Sequence, residues 1–274
     1  MIRIERGDEQ FNCPKLQPTR EAELGRVEAE IAAGVVVSGE LLGKRYQEVR
    51  GALYTAQHRK CCYCESKCNS ARWHTVEHFR PKLRYWWLTW TWDNLLFACH
   101  DCNNAKRDAF PLAEGSTPLE PRQAPPGAER PALIDPAADD PRTHIRFVPL
   151  QLGRWYPVDR SERGQAMLIA LGWNDADALA QDGLVEQWQD HVASLEDVVR
   201  ELRRAFTSED GPRIRQTWTE LTRRRRRASQ PFVALTLDVL EWYLGREIER
   251  YALPLTVIPT PLPSPAHPWP NPPR

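Results

Sequence analysis

Two Cys-x-x-Cys pairs, Cys61/Cys64 and Cys99/Cys102, constrain this chain more than any other feature in it. An x-x gap lets both sulfurs of one turn reach a single tetrahedral ion, and two such pairs supply the four thiolates of a structural zinc site. The interval between the pairs is 34 residues, longer than the ~15–20 of a common ribbon, which fits if the interval is itself a folded hairpin. Cys62 and Cys68 compete for the same role, because Cys64-x-x-x-Cys68 is also a workable spacing. Cys61 is preferred since it repeats the gap of the second pair. A redox Cys-x-x-Cys is the alternative, but two pairs favour metal. Six of the seven cysteines fall within residues 61–102, a clustering that favours metal binding over a disulfide framework.

The loop that these cysteines close contains Glu77-His78, Asn94 and Asn103-x-x-Lys106. Hydrolysis of a phosphodiester needs a base to deprotonate water and a divalent cation to neutralise charge on the phosphorane and the leaving oxygen. His78 can be the base, since a neutral imidazole titrates near working pH. Glu77 offers an oxygen to Mg²⁺ or Mn²⁺, and Asn103, beside Cys102, offers an amide oxygen as second ligand. Lys106, one helical turn on, can hold a phosphate oxygen, and Asn94 can clamp the loop or orient His78. Neighbours on a strand point to opposite sides, so Glu77 and His78 can serve one centre only at a strand end or bend. Each residue also has a bland reading: Asn94 as a turn residue, Asn103 as a helix cap, Glu-His as chance.

Charge narrows the choice further. Lys plus Arg and Asp plus Glu both number 37, so nucleic-acid binding has to come from a local patch. Between His58 and Arg107 nine cations (Arg72 among them) face four acids. The N-terminal MIRIERGDEQ lacks the apolar run of a signal peptide, and no stretch approaches the ~18 apolar residues of a membrane span. The expected location is the cytoplasm, with no membrane partner.

Along the chain, residues 1–58 read as an N-terminal helical segment, with helices over 18–33 (Thr19 as a cap) and from Ser38 to about His58. Residues 59–112 form the cysteine-closed core; its aromatic run, Tyr85 to Trp92, is rich in β-formers and is best read as the support of a small metal domain. Residues 113–160 are a Pro-rich connection with short strands at Ala132–Pro136, His144–Val148 and Trp155–Val158. Residues 161–253 are helical: 161–172, 175–206, one started by Pro212 and one started by Pro231. Residues 254–274 hold nine prolines and are expected to be a disordered or polyproline tail. The arginine run Arg223–Arg227 reads either as a phosphate strip or, slightly preferred, as a helix surface balanced by neighbouring acids. His144, a single histidine in a strand, is expected to be structural.

Paired cysteines, an acid–His dyad followed by Pro81, a central Asn94 and then Cys-x-x-Cys-Asn-x-x-Lys resemble the HNH endonuclease superfamily. More narrowly, Tyr63-Cys64-Glu65, Glu77 through Lys82, Asn94-Leu95-Leu96 and Asn103 through Lys106 to Phe110-Pro111 are similar to the HNH subunit of Septu-type anti-phage systems, a family that includes a retron-associated effector. The resemblance covers roughly residues 1–175. It implies His78 as general base, Glu77 and Asn103 as ligands of the catalytic ion, Asn94 as the structural Asn, and Cys61, Cys64, Cys99 and Cys102 on zinc. Glu77 stands where Asp is more usual. It further implies a nucleic acid substrate (DNA, or RNA) and an ATPase partner subunit. The expected fold is α+β, a zinc-stapled ββα-metal core surrounded by N- and C-terminal helices. The rival reading is a non-catalytic zinc-stapled module that binds nucleic acid or protein.

Overall fold

Between the two cysteine pairs the chain folds back on itself as a hairpin. In a computed structural model, which describes residues 1–70, 74–150, 153–174 and 183–262, the chain divides into two units. One comprises Ile4–Tyr63 and Lys67–Ala138, with Pro261 and Leu262; the other comprises Met1–Arg3, Cys64–Ser66 and Asp139–Thr260. Arg72, in the basic stretch, lies outside the described residues, as do 175–182 and the tail from 263.

In the first unit, α1 (Glu9–Asn12), α2 (Leu16–Ala32), α3 (Gly39–Leu42) and α4 (Arg50–Ala56) precede β1 (Thr75–His78), β2 (Leu95–Ala98) and α5 (His100–Lys106). β1 and β2 are antiparallel, with Glu77 opposite Leu96 and His78 opposite Leu95. This hairpin followed by α5 is the expected ββα core. All four residues of β2 are buried, because the outer side of the hairpin is also covered. The Gln57 carboxamide, just past α4, does part of that covering: Nε2 donates to Phe97 O at 2.7 Å and Oε1 accepts from Phe97 N at 2.7 Å. From the N-terminal segment, buried Arg6 donates to the carbonyls of Trp92 and Asp93 at 3.1 Å and to that of Leu95, closing the end of the β1–β2 loop.

Several local expectations are corrected. Helix α2 starts three residues before Thr19, which is buried inside it instead of capping it. The expected 38–58 helix is broken: Gly43 takes φ +62 after α3, and a 3-10 turn over Arg45–Val49 leads into α4. The Tyr85–Trp92 run forms two 3-10 turns, at Trp86–Leu88 and Trp92–Asn94, and no strand. Its rings are core: Tyr85, Trp87, Trp90 and Trp92 are buried. The Ala132–Pro136 strand does not form; an isolated bridge between Leu112 and Pro131 and the bonds Ala132 N to Pro111 O and Ile4 N to Pro136 O mark that segment. Prolines at both of its ends remove the donors that a ladder needs.

The Pro-rich connection nevertheless contributes a buried group. Glu129 accepts from Arg80 Nε at 2.7 Å and from Tyr85 Oη at 2.5 Å, while the Arg80 guanidinium lies against the rings of Phe79 and Phe110. A carboxylate buried this deeply is tolerable because a guanidinium and a phenol satisfy it.

The second unit begins with an antiparallel hairpin, β3 (Ile145–Pro149) and β4 (Trp155–Asp159), followed by α6 (Glu162–Ala170), capped by Ser161. His144 Nδ1 lies 2.7 Å from Ser161 Oγ, which gives this histidine a structural contact. In place of one helix to Phe206 there are two, α7 (Leu184–Ala193) and α8 (Glu196–Phe206). Pro212 sits in the first turn of α9 (Gly211–Thr222), as expected, and the last helix, α10, runs over Val233–Arg250. Val199, Leu202, Ile214, Trp218, Leu240 and Leu244 form the heart of this unit's core. Asp238 ties α10 to the β3 hairpin: it accepts from Phe147 N, Arg142 and Arg146, each at 2.7 Å. Glu65 caps the same helix, accepting from Val233 N at 3.0 Å and Ala234 N at 3.2 Å.

The arginine run is not a balanced helix surface, since among the described residues none of the five pairs with an acid. Arg226 is buried, bonded to Thr222 Oγ1 and Thr256 O, and Arg225 returns to Leu221 O, whereas Arg223, Arg224 and Arg227 are exposed. Residues 254–262 have contacts that the expected tail lacks: Pro254 O accepts from Trp218 Nε1, and Ile258 bridges Arg227. No described helix is long and apolar enough to cross a membrane.

This unit also carries an acid-sensitive contact. Half-buried His191 lies 2.7 Å from Thr236 Oγ1, and burial pushes its pKa down to about 4. Its folded value therefore lies below the unfolded ~6.5, so its contribution is complete above neutrality and is lost as pH falls from about 6.5 towards 4. Acidification over that window is expected to remove about 3 kcal/mol through this residue. Denaturant melts of wild type and His191→Gln at several pH values check it, the variant having the shallower acid slope.

Candidate active site

The four paired cysteines converge. The Sγ atoms of Cys61, Cys64, Cys99 and Cys102 all lie within 4.8 Å of one another, and three of the four residues are buried. Tetrahedral zinc with Zn–S of about 2.3 Å sets its sulfurs roughly 3.8 Å apart, so a small contraction completes the site. The backbone prepares two of the sulfurs: Tyr63 N–H donates to Cys61 Sγ and Cys102 N–H to Cys99 Sγ, both at 3.4 Å. Such donors stabilise thiolate charge. The set fits a structural zinc and resolves the choice left by spacing: Cys62 and Cys68 are buried but lie outside the cluster. Cys68 instead anchors the return of the chain through its backbone, its N–H on Arg59 O and its carbonyl on Tyr54 Oη.

Cys99 also caps α5, so the cluster fixes where that helix begins and where Lys106, in its last turn, ends up. Lys106 is fully buried. Its Nζ lies 2.7 Å from Glu77 Oε1 and donates to His78 O at 3.2 Å, which directs this ammonium into the loop. Tyr63, between the two ligands of the first knuckle, donates its hydroxyl to the same Glu77 Oε1 at 3.0 Å. Burial holds the Glu77 carboxyl above the usual carboxylate range, against the opposing pull of Lys106. The phenol of Tyr63 is raised by burial and by Glu77, and stays a donor.

His78 is the last residue of β1, and its ring has partners of its own, apart from the Tyr63–Glu77–Lys106 cluster. Nε2 lies 3.0 Å from Thr89 O, and the ring meets the Tyr46 ring edge-on at 4.7 Å. A carbonyl only accepts, so Nε2 carries the proton and Nδ1 holds the lone pair. Burial lowers the His78 pKa to about 3, so the imidazole is neutral at physiological pH. Asn94 clamps the loop between the strands. Its Oδ1 accepts from Arg80 N at 2.8 Å and its Nδ2 donates to Arg80 O and Leu88 O at 3.1 and 3.2 Å. Asn103 is half-buried on α5, one residue after a cluster cysteine. Thus Glu77 and Lys106 are brought together, Asn94 holds the segment after His78, and Asn103 shares the helix of Lys106.

Residues 61–109 match the family model described as HNH endonuclease. This segment is an HNH domain. The chain is also similar to the Septu protein PtuB of Bacillus mycoides (strain KBAB4), 34% identical over 118 aligned residues, which are 37% of this chain and 39% of that relative. No solved structure matches. Outside the HNH segment, sequence reading missed Arg6, Gln57 and Glu129 as supports of the domain. Tyr63 was visible within a motif but without a role, since nothing local announces a partner fourteen residues away.

The clamp predicts its own cost. Asn94→Ala leaves two buried carbonyls and one N–H of the loop unpaired, and should destabilise the protein by roughly 3 kcal/mol. Equilibrium urea unfolding measures this, with Asn94→Asp expected to lose at least as much, since a carboxylate cannot donate to Arg80 O and Leu88 O.

Proposed function

We propose that this protein is a divalent-metal-dependent HNH endonuclease, the effector of a Septu-type anti-phage system acting with an ATPase partner subunit. The observation that carries the reading is the neutral, tautomer-fixed His78 at the end of β1, within a segment that matches the HNH family. His78 Nδ1 takes the proton of the attacking water. Glu77 and Asn103 hold the catalytic Mg²⁺ or Mn²⁺; both offer hard oxygen donors, which suits either ion. When bound, the ion supplies charge neutralisation at the phosphorane and the leaving oxygen. Asn94 keeps the loop that follows His78 in place. Lys106, fully buried, balances the charge of Glu77 and holds the carboxylate in place.

The test is incubation of plasmid DNA and of total RNA with the purified protein and Mg²⁺ or Mn²⁺, alone and with the proposed ATPase partner subunit. Cleavage that depends on the added ion supports the reading, and the substrate cut assigns DNA or RNA. No cleavage in any combination overturns it in favour of a zinc-stapled binding module.

A further inference from the structure

We propose that Tyr63 and Lys106 are positioning residues that turn the Glu77 carboxylate so that a single oxygen, Oε2, meets the catalytic ion. The inference rests on the reading above, in which Glu77 is a ligand of that ion. The two oxygens of this buried carboxylate are not equivalent. Tyr63 Oη donates to Oε1 at 3.0 Å and Lys106 Nζ lies 2.7 Å from the same atom, while no described residue hydrogen-bonds Oε2. Two donors occupy both lone pairs of Oε1, so coordination falls to Oε2 and is monodentate.

The geometry also says what sets this orientation. Tyr63 is 0% exposed, so it cannot touch a substrate. Its backbone N–H is bonded to the Cys61 thiolate and its hydroxyl to Glu77, so one residue links the structural cluster to the candidate catalytic carboxylate. Lys106 is the second donor to that oxygen, on a helix whose start carries Cys99 and Cys102. Both cysteine pairs therefore act on Glu77, each through one intervening side chain. Groups that orient a ligating carboxylate typically change metal affinity 10- to 100-fold when removed.

The test uses zinc-loaded, full-length protein and Tyr63→Phe, which keeps the ring and loses only the hydroxyl. Mn²⁺ binding is followed by the loss of the free-ion paramagnetic resonance signal, with Glu77→Gln marking the signal that belongs to this carboxylate. The expected result is about tenfold weaker Mn²⁺ binding in Tyr63→Phe, with zinc content unchanged and cleavage restored by raised Mn²⁺. A merely structural tyrosine would lower the melting temperature and leave the Mn²⁺ midpoint alone. A wild-type midpoint in Tyr63→Phe, where Glu77→Gln has lost binding, overturns this proposal and leaves the nuclease reading intact. Wild-type binding by Glu77→Gln overturns the assignment of Glu77 itself.

Discussion

His78→Ala is expected to lower cleavage by about a thousandfold or more, while the protein keeps its zinc and its fold. A positioned general base contributes about 10²–10⁴ in rate, and a thousandfold corresponds to about 4 kcal/mol of transition-state stabilisation. One feature of the site favours a large effect: the imidazole is fixed by Thr89 O and packed against Tyr46, so its lone pair is held in one direction. The ring sits at a strand end, and its loss leaves β1 paired with β2. Single-turnover cleavage beside zinc analysis and near-ultraviolet dichroism separates the two effects. Equal cutting by variant and wild type would remove His78 as base and point to a contaminating nuclease.

Cys102→Ser should have the largest effect on stability. Structural zinc in small domains is worth roughly 10–16 kcal/mol of apparent binding free energy, more than most domains possess in total. Loss of one thiolate is therefore expected to release the metal and to abolish cooperative melting of the unit that carries the hairpin. Cys62→Ser provides the contrast, because Cys62 is equally buried but outside the cluster. It should retain one zinc per chain and melt close to wild type. Metal analysis of the two variants decides the point, and a zinc-free Cys62→Ser would mean that the ligand set has been misassigned.

How far sequence reaches is seen in which contacts were local. The cysteine cluster was legible because each pair is built within one turn and its spacing is chemistry. Glu77, His78 and Asn103 were singled out by their order within the loop that those cysteines close. The strands β3 and β4 and the start of α9 were likewise readable from alternation and from Pro212. What failed depended on distant partners. Tyr85 through Trp92 has strand propensity, but its rings are claimed by a core on several sides, and 3-10 turns satisfy that better than a pleat. Glu129 lies in a stretch whose composition reads only as loop, yet it is buried because Arg80 lies 49 positions earlier. Lys106 was read as reaching outward to phosphate; its direction is set by Glu77, which no spacing rule reveals.

A two-stranded sheet has two open sides, and an unpaired side is a template for any other extended segment. Here the Gln57 side chain takes both the N–H and the C=O of Phe97 as a neighbouring strand would, and Cys62 N–H adds a second bond to the same carbonyl. The hairpin thus ends in a side-chain amide that cannot propagate pairing any further. Replacing Gln57 would do more than loosen one contact: it would expose a sticky border next to a metal knuckle, in a protein whose net charge of zero gives little repulsion to keep copies apart.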